Sequence, residues 1–319
     1  MRVVALDCET TGVLWNDDAF LASTAERNDA GELSSRAWEL PAEQAELSEY
    51  VEGVRLVFHN AKFDLQKFIR AGVLQPGSIS HERIEDTEAQ AHLLNEHQLK
   101  GLKSLAREHL GEETDEATKI REAKKVVAKE RKLKLSEISY DMLPREVVIP
   151  YAIKDAEYTL RLYELFKPQV EQYEDLSQLY RDEMELALVL LDMESRTMRI
   201  DTEYLDRVTR EYASRALAKE LEIRDLVGDE SFNPNSPKQV LEAFALLGLE
   251  LKATDKVALR SVDHQLAEAI LELRHLRKLH GTYLLALQHE LQGGEYVHLN
   301  FRQHGPKTGR MASGGQEAE

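Results

Sequence analysis

Apolar residues follow two different rhythms along this chain, and the change near residue 170 divides it. Early on, Val3-Val4-Ala5-Leu6 forms a continuous apolar run that opens into Asp7-Cys8-Glu9-Thr10-Thr11-Gly12. A second run, Arg55-Leu56-Val57-Phe58, ends at His59-Asn60. Short apolar runs bounded by polar turns predict interior strands. Shorter β-like runs at 19–24 and 36–40, separated by the polar stretch 26–34, predict further strands of the same sheet. Helical spacing falls between them, at 42–51, at 61–71 closed by Gly72, and twice within 85–111, where Asp86-Thr87 opens the first helix. Pro150 is expected to begin a late helix, because its fixed φ and missing N–H suit a first helical position.

Beyond residue 170 the strand signals stop. Helical runs cover 175–195, 203–227 and 265–291, the last with apolar residues at Leu266, Ile270, Leu273, Leu276, Tyr283, Leu284, Leu287 and Leu291. A helix of about 25 residues is about 38 Å long, so two of them predict an antiparallel arm rather than part of a compact sheet domain. Between them, Ser236 is placed as N-cap, Pro237 at the first helical position, Gln239 as the reciprocal capping partner and Gly248 at the end. The alternating stretch 296–303 predicts one strand with no neighbour in the preceding sequence, so it needs a sheet from elsewhere.

The length of 319 residues admits two domains with a sizeable core. No apolar stretch approaches the ~20 residues needed to cross a bilayer, and the first residues lack a leader pattern, which predicts a soluble, cytoplasmic protein without membrane partners. The single cysteine, Cys8, cannot form an internal disulfide and is expected to be core, facing away from the neighbouring acids. The net charge of -17 argues against nucleic acid as a partner. Segment 119–134 departs from that balance, with eight Lys or Arg against Glu122 and Glu130, a local +6. It reads either as a solvated helix face or as an electrostatic guide.

In a strand, alternate residues share a face, so Asp7 and Glu9 project together. With 58 acidic residues in 319, about ten acid-x-acid pairs arise from composition alone, and the spacing itself carries little. Position matters more: at the end of an apolar interior strand, two carboxylates call for a divalent cation between them or for one retained proton. Asp64 falls in the first turn of the helix after Asn60, where it could simply favour the helix N-terminus. Tyr151 and Asp155, four apart, share one face of the late helix.

Together, Asp7-x-Glu9 on a first strand, Asn60-x-x-x-Asp64 at a strand–helix junction and Tyr151-x-x-x-Asp155 on a late helix resemble the three motifs of the DEDD 3′-5′ exonucleases, tyrosine subclass. The stretch from Asp86-Thr87 to Leu94, Gln98-Leu99-Lys100-Gly101-Leu102 and Leu110-Gly111 also look like that domain. Further on, Ile200-Asp201, Phe232-Asn233 through Ser236-Pro237-Lys238-Gln239-Val240, Leu273-Arg274-His275-Leu276-Arg277-Lys278-Leu279 with Thr282-Tyr283, and Thr308-Gly309-Arg310-Met311-Ala312-Ser313 resemble the thumb and palm entry of the family A DNA polymerases of phages and bacteria. Stretch 112–146 matches no pattern of the family. The family's later palm and finger motifs do not follow, so the resemblance implies a polymerase portion truncated before its catalytic palm, unable to synthesise DNA unaided.

The fold so implied is α/β: a ribonuclease-H-like exonuclease domain over 1–170, with a mixed sheet flanked by helices, an α-helical thumb over 171–292, and the start of a palm over 293–319. The implied activity is proofreading in DNA replication, by 3′-5′ hydrolysis of DNA to nucleoside monophosphates. By resemblance Asp7, Glu9, Asp64 and Asp155 hold two Mg²⁺ or Mn²⁺ ions. Tyr151 orients the attacking water rather than acting as base, since a phenol has a pKa near 10. The resemblance puts Thr10 and Asn60 against the single-stranded 3′ end, and offers Lys238, Arg274, Arg277, Lys278 and Arg310 to a primer-template duplex. Two other readings remain: an RNA-directed DEDD exonuclease, and a DNA-binding or assembly subunit that completes a split polymerase with a second polypeptide carrying palm and fingers. The expected setting is a bacterial or phage-infected cell.

Overall fold

The computed structural model describes residues 1–113, 115–291, 293–304 and 309–313. Thr308, the first residue of the Thr308 to Ser313 motif, lies outside the described residues, as does 314–319 of the expected palm entry. Packing divides the chain into two units: residues 1–196 with those described after 297, and residues 197–297.

The first unit is built on a five-stranded sheet of order β3-β2-β1-β4-β5. Its strands are β1 Val3–Thr10, β2 Ala19–Arg27, β3 Leu33–Glu39, β4 Arg55–Phe58 and β5 Ile84–Asp86. β1 pairs antiparallel with β2 and parallel with β4, which makes the sheet mixed, in keeping with a ribonuclease-H-like fold. The two faces of β1 are packed differently. Val4, Leu6 and Cys8 face a core shared with Leu47 of α1 (Gln44–Tyr50) and with Leu65 and Phe68 of α2 (Ala61–Arg70). On the opposite face, Ala5, Ala25 and Val57 pack against Ala156 and Leu160 of the long helix α6 (Arg145–Glu171). Alanines on both sides of that contact let the helix axis approach the sheet closely, because neither partner interposes a long side chain.

Asp86 binds two helices at once. As N-cap of α3 (Thr87–Leu94) its carboxylate accepts from Glu88 N at 2.8 Å, and it also accepts from Asn60 N at 3.1 Å and Ala61 N at 2.7 Å, at the start of α2. Asn60 itself is in the left-handed region, φ 67°, where asparagine is one of the few residues tolerated. Helices α4 (Leu102–Leu105), continued by a widened turn to Leu110, and α5 (Asp115–Arg131) follow. The basic stretch that begins at 119 is thus largely a helix, held by Ile120 and Val127 against Phe20, Leu21, Val148 and Ala152.

Helix α6 starts at Arg145, five residues before the expected Pro150. Residues of a first turn need no intrahelical acceptor for their N–H groups, and Pro150 removes only the bond to the carbonyl of Glu146, an exposed residue that water can satisfy. The next helix, α7 (Glu174–Ser195), has helical spacing that groups it with the helices after it, yet it packs with the sheet. Tyr180, Met184 and Leu191 enter the main core, and the Tyr180 hydroxyl donates to Glu85 at 2.8 Å and accepts from Asp86 N at 2.8 Å. The packing boundary therefore lies after Arg196 rather than at residue 170.

The second unit comprises β6 (Met198–Arg199), α8 (Thr202–Val227), α9 (Pro237–Leu246), α10 (Lys256–Arg260), α11 (Gln265–Lys278), α12 (Ala286–Leu291) and β7 (Tyr296–Val297). A core of Ile223, Phe232, Val240, Phe244, Ile270 and Leu273 joins α8, α9 and α11. Ser236 caps α9 as expected, but Gln239 accepts from Asn233 N at 2.6 Å rather than from the N-cap itself. The single strand expected over 296–303 is two: β7 pairs with β6, and β8 (Phe301–Arg302) pairs with β9 (Ala312–Ser313). Each has a partner within the chain, so the demand for an outside sheet disappears.

Asp86→Ala should lower unfolding stability by about 3 kcal/mol in chemical denaturation, since buried N–H groups at the starts of α2 and α3 would lose their acceptor. A change below about 1 kcal/mol would show that neither helix start depends on it.

Candidate active site

The close approach of α6 to β1 creates the site. Asp7 and Glu9 project from the face that carries Ala5, and Asp155 projects from α6 one residue before Ala156. Opposite Asp7 on β2 is the small residue Ser23, whose hydroxyl donates to the Ala152 carbonyl at 2.7 Å and ties the helix to the strand. Carboxylate oxygens of Asp7, Glu9 and Asp155 all lie within 4.8 Å of one another. Glu9 and Asp155 are each 7% exposed.

Asp64 arrives from the other face of the sheet. It is 3% exposed, and its Oδ1 accepts from Cys8 N at 3.2 Å and from Cys8 Sγ at 3.1 Å. Cys8 is buried as expected, but its thiol touches one of the acids instead of standing clear of them. Three of the four expected carboxylates therefore meet directly, while the fourth approaches beside them from α2.

Burial, then the charge of Asp7, pushes the Glu9 carboxyl well above its usual range, against the pull of Lys103 and Lys124. Asp64 is likewise pushed well up by burial and by Asp7, against its hydrogen bonds from Cys8. The Cys8 thiol is raised by burial and by the surrounding carboxylates, so it stays protonated and acts as a donor. Tyr151 is raised by burial and by Tyr140 and Glu9, which keeps its phenol protonated at neutral pH. It can donate a hydrogen bond but not remove a proton.

Two lysines in the site are absent from the motif reading. Lys103, on α4, forms an ion pair with Asp155 and lies 3.8 Å from Glu116. Its ammonium sits 4.3 Å from the Tyr151 ring centre and 5.1 Å from that of Tyr158. Lys124, on α5, sits 4.3 Å over the Tyr140 ring, which packs edge-on against Tyr151 at 5.7 Å. The only sequence signal for either was the basic bias of 119–134 and the Leu102-Lys103 step after Gly101.

The carboxylate set fits a divalent cation. Hard oxygen donors at this spacing, with at least two of them raised by burial and mutual repulsion, gain most from a small dication of the Mg²⁺ or Mn²⁺ type.

The remaining expected residues are dispersed. Thr10, at a β1 bulge, donates through its hydroxyl to the Gly12 carbonyl at 2.7 Å. Asn60 is exposed and lines a cleft of about 390 Å³ with Trp15, Lys62, Phe63 and Gln66; none of the three clustered carboxylates lines it. In the helical unit, Arg277 binds Asn235 at 2.8 Å and pairs with Glu220, and Arg274 donates to the Thr254 carbonyl. Both arginines are thus engaged internally. Lys238 and Lys278 are exposed, as is Arg310 in the first unit.

A family model described as 3′-5′ exonuclease matches residues 1–171, and one described as DNA polymerase family A matches residues 202–315. The DNA polymerase of Escherichia phage T5 is 30% identical over 290 residues, covering 83% of this chain and 34% of that protein. DNA polymerase I of Chloroflexus aurantiacus is 33% identical over 272 residues, covering 80% and 27%. DNA polymerase DpoZ of Vibrio phage phiVC8 is 29% identical over 359 residues, covering 98% and 54%. The chain thus spans from about a quarter to about half the length of these relatives. Among solved structures, the POL domain of Pol1 from M. smegmatis in complex with DNA primer-template and dNTP superposes with a TM-score of 0.68 at 22% identity, over 97% of this chain and 50% of that one; this likeness is one of fold.

With chelator present, stability should fall as pH rises from about 5 to about 8. The folded chain keeps protons on Glu9 and Asp64 that the unfolded chain has released, so the native state binds more protons and loses stability with rising pH. Glu9→Gln should melt a few degrees higher than the unaltered chain at about pH 8 in chelator, and Mg²⁺ should close the gap. Equal melting temperatures under both conditions would contradict the strained pocket.

Proposed function

The chain belongs to the 3′-5′ exonuclease family of the family A DNA polymerases, and we propose that it hydrolyses single-stranded DNA from the 3′ end at the Asp7, Glu9 and Asp155 cluster. The observation that carries this reading is the convergence of the three carboxylates, drawn from β1 and α6, within 4.8 Å. Asp7, Glu9 and Asp155, with Asp64 beside them, would hold two Mg²⁺ or Mn²⁺ ions. Bound there, the ions relieve the negative charge at the attacking and leaving oxygens of the phosphodiester and make a water more acidic.

The protein's own groups supply position. The Tyr151 phenol, kept neutral by burial, donates a hydrogen bond that orients the attacking water. Lys103 holds Asp155 and is placed among the aromatic rings of Tyr151 and Tyr158, where it keeps the carboxylate's charge matched. Asn60 and Thr10 sit at the ends of β4 and β1, where they can hold the terminal nucleotide through its sugar and backbone rather than its base edges, consistent with hydrolysis of any sequence. Lys238, Lys278 and Arg310 are the exposed cations offered to a primer-template duplex, whereas Arg274 and Arg277 serve to brace α11. In domain terms the first unit is the exonuclease and the helical unit the thumb, within the cytoplasm of a bacterium or infected host.

With Mg²⁺, the purified chain should shorten a 5′-labelled single strand from its 3′ end. Asp7→Ala and Asp155→Ala should each slow this by about a thousandfold or more while leaving the far-ultraviolet circular dichroism unchanged. Undiminished digestion by either variant would sink the site, and faster digestion of a matched RNA strand would move the substrate from DNA to RNA.

A further inference from the structure

Helix α5 lies within residues 112–146, which the three acidic motifs do not reach, and it carries a charge opposite to that of the chain. Its placement is fixed: Ile120 and Val127 are buried against Phe20 and Leu21 of β2 and against Val148 and Ala152 of α6, next to Tyr151. Lys124 stands on the edge of that buried face, over Tyr140, whose ring contacts Tyr151. One edge of the helix's basic surface is therefore joined to the catalytic helix through two aromatic rings.

On the outward side, Arg121, Lys125 and Lys129 are exposed at intervals of four residues, about 6 Å apart along the axis. None of the three forms an ion pair among the described residues. Glu122 and Glu130 are exposed on the same helix but form no ion pair with the three among the described residues, whereas α8 pairs Glu220 with Arg224. Lys124 lies three residues from Arg121 and next to Lys125, so it flanks the exposed row on the side of Tyr140. On a protein of net charge -17 this row reverses the local sign, which lets a polyanion approach where much of the remaining surface repels it.

We propose that α5 is a phosphate track: Arg121, Lys125 and Lys129 hold the backbone of single-stranded nucleic acid upstream of the 3′ end, and Lys124 hands it to the active site. This deepens the nuclease reading and rests on it. The track recognises phosphates, not bases, so its contribution scales with strand length and falls with salt.

The test is fluorescence anisotropy of the full chain in chelator, with 5′-labelled oligothymidylates of about twenty and about four nucleotides. The triple variant Arg121→Ala, Lys125→Ala, Lys129→Ala should weaken the longer strand about tenfold at low salt and reduce the salt slope by about two, at about 0.7 per lost phosphate contact. The short strand should be nearly unaffected. Arg121→Lys, Lys125→Arg, Lys129→Arg should bind as the unaltered chain does. Unchanged affinity and slope in the alanine triple, or equal loss for both strands, overturns the track. Digestion by the unaltered chain in Mg²⁺ is read separately, so failure of the track and failure of the nuclease are distinct results.

Discussion

Like charges crowded into a poorly hydrated place repel strongly, and most of the first unit is arranged around one such crowd. Two unit charges some 4 Å apart interact by about 1 kcal/mol in water and by several at a protein's effective dielectric. Asp7, Glu9 and Asp155 are held together nonetheless, because the strand pattern and the helix contact leave them no other place. Odd residues of β1 face α6, and Ala5, Ala25 and Ala156 bring the two elements close enough for Asp155 to reach the strand. The protein answers the repulsion with proximity of cations: Lys103 on Asp155, and Lys124 near Glu9. A polymer that tolerates this without using it would be hard to account for, since neutral side chains of the same shape would be more stable there.

Asp64 shows how the sheet divides the labour. Helix α2 packs on the even face of β1, so its acid meets the cluster at the strand rather than within it, hydrogen-bonded to Cys8. The start of α2 is fixed by Asp86, which also starts α3. The position of Asp64 thus depends on a carboxylate outside the expected ligand set: Asp86 is held by backbone N–H groups at the starts of α2 and α3, and Asp64 by the backbone N–H and thiol of Cys8.

What could be read from the sequence was local and periodic. β1 and β4 were legible from their apolar runs, and the placement of Asp7, Glu9, Asp64 and Asp155 on strand, helix start and late helix followed from 2.0 and 3.6 periodicity. β5 was not legible, because three residues ending in an N-cap read as the start of the following helix. Lys103 and Lys124 were missed for a different reason: a lysine's meaning lies in what its long side chain reaches, and no spacing encodes that. The same holds for α7, whose amphipathic pattern suits either unit until Tyr180 is seen bonded to Glu85. The strand expected over 296–303 failed through pairing, since β6 and β9 are two residues each and too short to announce themselves.

The Asp7, Glu9 and Asp155 pocket is proposed as a divalent-cation site. Anomalous diffraction at the manganese edge, from crystals of the chain grown with Mn²⁺, addresses it without recourse to activity. A peak bounded by those three carboxylates is expected, with Lys103 drawn away from Asp155. Manganese bound elsewhere on the surface, with that pocket empty and the Lys103 pair intact, would contradict it.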